Sequence, residues 1–201
     1  GFSKESVGVI KSTITPLLYI LPILSGAIAD RYGYKKVLTF AFLVMSTGYF
    51  LTSLSTTYTF VFASLLLMVV GAGCFKPIIS GTIARETNES NSTLGFGIFY
   101  WSINLGAFIF PLLLVPYLKA ISWNYIFIMA AVGTGWLFFL NLFVYKEPAR
   151  PAVAGKVSDM LKNVVLVLKD IRFMSMILIY SGFWILYFQM FDTVLWYLTE
   201  H

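Results

Sequence analysis

Apolar residues fall in six long runs along this chain, each closed off by a short polar or charged stretch. The runs extend from Lys11 to Ala29, Val37 to Leu54, Phe60 to Ala84, Leu94 to Leu118, Tyr125 to Tyr145 and Phe173 to Leu198. Each is near or above the roughly 18 to 20 residues that a helix needs to cross a bilayer. Lipid offers no partner to an open sheet edge, so all six are predicted as helices and the chain as an all-α membrane protein. The loops set the orientation, because short cytoplasmic loops carry an excess of Lys and Arg. Arg31, Lys35 and Lys36 occupy the first loop, Arg85 the third, and Lys146, Arg150, Lys156, Lys162, Lys169 and Arg172 the fifth. The second and fourth loops hold Lys119 alone. The odd-numbered loops are therefore expected inside and the N-terminal tail outside. A chain that opens on Gly1 in mid-pattern, with its tail outside, is expected to be a piece of a longer protein with a helix before it.

Composition narrows the class. Of the 201 residues, 59% are hydrophobic and 11% charged, whereas a soluble domain carries about 25% charged residues. The formal charge of +5 lies mainly in the short loops, so it reads as a topology signal and not as a nucleic-acid footprint. Cys74 is the one cysteine, which excludes an internal disulfide and a cysteine-rich metal site. No cluster of His, Cys or carboxylates has ligand or catalytic spacing, so no enzyme and no metal site is expected.

Candidate chemistry concentrates between Gly71 and Pro111, two apolar runs joined by one polar turn. Lys76 lies inside the first run and Asn104 inside the second. A lysine in hydrocarbon must face a protein interior or a water-filled cavity, which makes it a functional candidate by default. At 1.5 Å per residue, Lys76 stands about 13 Å from Arg85 at the turn, and Asn104 about 15 Å from Leu94. The two runs leave the turn in opposite directions along the chain, so both polar groups are predicted near one level, close to the bilayer midplane. Tyr100 precedes Asn104 by four residues and shares its helix face. Pro77 cannot donate a backbone hydrogen bond, so a freed carbonyl and irregular geometry are expected beside Lys76.

The first loop reads Gly26, then Asp30, Arg31, Gly33, Lys35 and Lys36. Alone, Asp-Arg-x-Gly is an ordinary charged turn, with Gly33 able to take the left-handed conformation of a tight reversal. The whole string resembles the motif G-x-x-x-D-R-x-G-x-x-[KR] between the second and third helices of the major facilitator superfamily. Gly71 to Pro77, G-x-G-x-x-K-P, and Phe96 to Phe108, FGIFYWSINLGAF, resemble in order and spacing the proton-dependent oligopeptide transporter family of that superfamily. The last run, Phe183-Trp184-Ile-Leu-Tyr187-Phe188-Gln189, resembles the seventh helix of that family, F-W-x-x-[FY]-[DE]-Q. It departs at Phe188, where the family has a carboxylate associated with proton coupling. Asp192, one turn on, either replaces that acid or lies in the outer headgroup region.

The resemblance implies a partial major facilitator fold, with six transmembrane helices of an expected twelve. Residues 1–145 would be helices two to six of the N-terminal half, 146–172 a cytoplasmic linker, and 173–201 helix seven. In the linker, Val157, Met160, Leu161, Val164, Val165 and Leu168 fall at helical spacing with lysines opposite, which predicts a helix lying on the membrane. The implied function is proton-coupled symport of small peptides or peptide-like solutes in the plasma membrane, driven by the proton gradient without a cofactor. Lys76 would meet the substrate carboxylate, Tyr100 and Asn104 its backbone, and Trp184 and Gln189 would form the facing wall. The partners expected are the peptide, the lipid bilayer and the rest of the protein's own chain. Two rivals stand beside this reading: a transporter of the same fold for an anionic metabolite or drug, which Lys76 would also suit, and a receptor or scaffold that transports nothing. A scaffold gains nothing from a lysine buried in mid-membrane.

Overall fold

The computed structural model describes residues 2–148, 162, 165–190, 194 and 197–198. Six helices among them are long and apolar enough to cross a membrane. They are α1 (Lys4–Tyr32), α2 (Tyr34–Leu54), α3 (Tyr58–Glu86), α4 (Ser92–Ile121), α5 (Trp123–Phe143) and α6 (Ile171–Gln189). The runs read from the sequence lie within these helices or overlap them, and most observed helices reach further. The chain is an all-α, multi-pass membrane protein.

Side chains cap several of these ends. The Ser3 hydroxyl accepts the Ser6 amide at 3.2 Å, and Asp170 accepts the amides of Arg172 and Phe173 at 3.0 and 3.2 Å. The polar turn between α3 and α4 closes on itself. Asn91 Oδ1 accepts the Asn88 amide at 2.8 Å, and Asn88 Oδ1 accepts the Ser90 amide at 3.0 Å. At Gly33 the chain reverses between α1 and α2 with φ 102° and ψ 141°. A positive φ was expected there; the ψ places it beyond the left-handed helical well, in a region open to glycine.

The residues divide into two compact units, 1–155 and 156–201. In the first, α1, α2, α3 and α5 pack together. Their core is Ala29, Tyr34, Val37, Leu38, Phe42 and Ile78, with Cys74, Phe75, Ile79, Phe138 and Tyr145 against it. Glycines let α2 and α3 approach closely. A Cβ on Gly48 would lie 2.6 Å from the Met68 amide nitrogen, and one on Gly71 would lie 2.5 Å from the Ala41 carbonyl oxygen. Contact between α2 and α5 is fastened by Ser46, whose hydroxyl donates to the Ala131 carbonyl at 2.8 Å.

Helix α4 differs from these four: it touches α3 and, through its last residues, α5, and none of its residues is buried. Residues Phe110–Leu114 form a wide π-type turn, in which the Val115 amide donates to Phe110, five residues back. Pro111 and Pro116 remove the donors that Ala107 and Leu112 would use in a regular helix, so the ladder widens there. The second unit contains α6, with residues 165–169 also helical. Val165 and Leu168 of the expected interfacial helix are among them, whereas Val157, Met160, Leu161 and Val164 lie outside the described residues.

Candidate functional site

One end of the first unit gathers the residues of the loop motif. Asp30, at the close of α1, meets the Arg85 guanidinium of α3 at 2.6 Å and accepts the Tyr34 hydroxyl at 3.1 Å. Arg85 also lies over the Tyr34 ring, 4.1 Å from its centroid. The Lys35 ammonium donates to the Tyr145 carbonyl at 2.9 Å, and the Tyr145 hydroxyl shares a 2.7 Å hydrogen bond with Thr82. Tyr145 follows the end of α5, and burial pushes its phenol above the usual value, so it remains a neutral hydrogen-bonding group. Asn141 donates to the Lys35 carbonyl at 3.1 Å and to Thr39 at 2.7 Å. The ends of α1, α2, α3 and α5 are thus stitched together by charge and amide chemistry. Arg31 and Lys36 remain exposed.

Further along α3, Gly71 and Gly73 face α2 and α1, and Lys76 follows, exposed, with Pro77 next to it. Among the described residues, Lys76 makes no hydrogen bond or ion pair. The expected irregularity at Pro77 takes another form: α3 continues as α-helix through it. The carbonyl it frees, that of Gly73, accepts the Ser25 hydroxyl of α1 at 2.9 Å.

Tyr100 and Asn104 stand one turn apart on α4, both exposed, Tyr100 to 60%. The Asn104 amide donates to the Tyr100 carbonyl at 2.8 Å, within its own helix. Helices α3 and α4 touch at the polar turn, where a Cβ on Gly95 would lie 2.8 Å from the Thr87 methyl. No hydrogen bond joins Lys76 to Tyr100 or Asn104 among the described residues. The three present one cation, one phenol and one amide on two neighbouring helices, without satisfying one another.

In the second unit, Trp184 is surrounded on α6 by Phe183, Tyr187 and Phe188, with ring centroids 5.4–5.7 Å away. Gln189 ends that helix and is exposed. Asp192 lies outside the described residues.

A family model described as Major Facilitator Superfamily matches residues 1–201. The chain belongs to the Major Facilitator Superfamily. That is a family of transporters and not of enzymes. Among curated relatives, a di-/tripeptide transporter of Lactococcus lactis subsp. cremoris is 25% identical over 84% of this chain and 36% of its own length. The peptide transporter YePEPT of Yersinia enterocolitica is 26% identical over 76% of this chain and 30% of its own. A solved structure reported for substrate recognition in proton dependent oligopeptide transporters superposes with a TM-score of 0.67 at 23% identity. It matches 96% of this chain and 47% of that one. Peptide transporter POT in complex with sulfate gives 0.69 at 24% identity, over 96% and 40%. The resemblance read from the helix motifs is borne out, and the fold is the partial major facilitator fold. The chain spans about a third of the length of the curated relatives it matches.

Within this superfamily member, sequence reading found Asp30 but not its partner. Arg85 counted only as a topology charge, and Tyr34, Tyr145 and Asn141 carried no signal at all. The contacts of Arg85, Tyr145 and Asn141 with Asp30, Lys35, Thr39 and Thr82 span 55 to 110 residues of chain, which no local pattern reveals, whereas Tyr34 reaches Asp30 one helical turn away. Ser25 was likewise invisible, although the freed carbonyl it takes was legible from Pro77.

Proposed function

We propose that this protein is a secondary active transporter that carries small peptides or peptide-like solutes with protons, by alternating access, across the plasma membrane. The observation that carries the reading is Lys76: an exposed lysine without a partner among the described residues, inside a spanning helix, in a chain similar to di-/tripeptide transporters. A free ammonium in low-dielectric surroundings attracts a substrate carboxylate strongly. Tyr100 and Asn104 supply a hydroxyl and an amide suited to a peptide backbone. Trp184 and Gln189 stay with this proposal on the strength of the α6 motif. Rocking of the two halves of the fold around such a site gives alternating access. The proton gradient is the energy source, and no cofactor is required.

Uptake by the full-length protein tests the assignment. Lys76→Ala is expected to abolish proton-driven uptake of dipeptides bearing a free carboxylate while leaving membrane insertion intact, because it removes a charge that is costly in lipid. Normal dipeptide uptake by this variant would overturn the assignment.

Proton coupling is assigned to Asp192, the one carboxylate in the last apolar run. Phe188 cannot change charge, whereas a carboxylate that alternates between a buried and a cation-paired state binds and releases a proton. Asp192→Asn is expected to lose accumulation against a gradient and to keep exchange of substrate across the membrane. Accumulation with unchanged pH dependence would place coupling elsewhere. The apolar Phe188 also favours a second reading, a transporter of an anionic metabolite or drug. Competition separates the two: a dipeptide should displace bound substrate far better than a simple monocarboxylate if the peptide reading is right.

A further inference from the structure

Helix α1 packs closely on α3 at the place where α3 loses a backbone donor. Pro77 has no N–H, so the Gly73 carbonyl four residues earlier has no helical partner. The Ser25 hydroxyl donates to it at 2.9 Å, and Ser25 is only 3% exposed. The hydroxyl has a second acceptor at 3.3 Å, the Pro22 carbonyl, but that carbonyl can also receive the Gly26 amide in the ordinary way. Packing agrees with the hydrogen bond. A Cβ on Gly73 would lie 2.5 Å from the Leu21 Cβ, and one on Gly26 would lie 3.9 Å from the Pro77 Cβ. Leu21, Ser25 and Gly26 of α1 thus bracket the turn of α3 that runs from Gly73 to Pro77, and Lys76 lies within that turn.

We propose that Ser25 is a positioning residue: its hydroxyl replaces the amide proton that Pro77 lacks, and so fixes from α1 the turn of α3 that presents Lys76. A proline in a helix gives that helix freedom to bend, and a carbonyl left bare in a dry interface is costly. With Ser25 in place the carbonyl is satisfied and the bend is held at one setting. The consequence for transport rests on the reading of Lys76 as the substrate cation; the clamp itself does not.

The full-length protein, reconstituted in vesicles with Cys74→Ala, provides the test. The thiol introduced by Lys76→Cys is labelled with a small charged thiol reagent, and its rate reads the setting of the α3 turn directly. Ser25→Ala is expected to change that rate by about 3- to 10-fold, the population shift that one buried hydrogen bond supports. Ser25→Thr, which keeps the hydroxyl, should stay near the parent rate. In a Pro77→Ala background, the new amide satisfies Gly73, and Ser25→Ala should have no effect. An unchanged rate in Ser25→Ala, or an equal change with and without Pro77, would overturn the clamp. Dipeptide uptake with Lys76 in place separates the two ideas. A raised KM at unchanged maximal rate in Ser25→Ala accompanies a clamp that serves substrate binding. A labelling shift with KM unmoved upholds the clamp and removes Lys76 from the substrate site.

Discussion

Asp30 pairs with Arg85 at 2.6 Å, while Arg31, its neighbour in the chain, lies exposed beside the ring of Tyr32. Arg85 also covers the Tyr34 ring, so its removal takes away an ion pair and a cation–π contact together. The pair is partly exposed, which limits its worth, and the cation–π contact adds a comparable amount. Arg85→Ala should therefore destabilise the full-length protein by about 1 kcal/mol, seen as a lower melting midpoint in detergent, and Arg31→Ala by much less. Equal losses would mean that Asp30 is served by its neighbour after all. At this scale, what was legible in the sequence was what violates the solvent. Lys76 and Asn104 stood out because hydrocarbon makes them costly. Asp30 stood out only through its motif, and Ser25 not at all, since a lone serine in an apolar run is ordinary.

Helices were the most legible elements, because length and hydropathy suffice to predict a span in lipid. Their irregularities were harder to read. Pro77 signalled a disturbed ladder, yet α3 remains α-helical through it, while α4, which carries Pro111 and Pro116, widens into a π-type turn. The difference lies in neighbours: α1 supplies a hydroxyl to the freed carbonyl in α3, whereas α4 has no buried residue and resolves the deficit within itself. Glycines behave in the same way. Gly48 meets the backbone of Met68 across the α2–α3 contact, and Gly97 meets nothing within 4 Å. Gly48→Ala should accordingly cost about 1–3 kcal/mol, the usual penalty of overpacking, whereas Gly97→Ala should be neutral or slightly stabilising through helix propensity. Melting midpoints of the two variants in the same detergent check the contrast. A neutral Gly48→Ala would show that α2 and α3 can separate freely.

For the molecule as a whole, the basic loops predicted which ends belong together, and the ends of α1, α2, α3 and α5 do meet around Asp30, Lys35, Arg85 and Tyr145. If that end is cytoplasmic, as the basic loops predict, a cysteine at Asn88 should react with an impermeant thiol reagent only from the inside, and one at Ser122 only from the outside, in a Cys74→Ala background. Labelling of Asn88 from the outside would invert the topology. The site was less legible than the fold at this scale, since a substrate cavity depends on how helices from distant parts of the sequence stand against each other. The stitching at Tyr145 has one more consequence, which concerns force. Its carbonyl holds Lys35 of α2, and its hydroxyl holds Thr82 of α3. If the protein is drawn out of a bilayer by its C-terminal side, α5 is loaded through these two bonds at once, in parallel. Helix α5 should then resist extraction as part of a three-helix body and rupture in one large step, and Tyr145→Phe, which removes only the hydroxyl's bond to Thr82, should lower the height of that step.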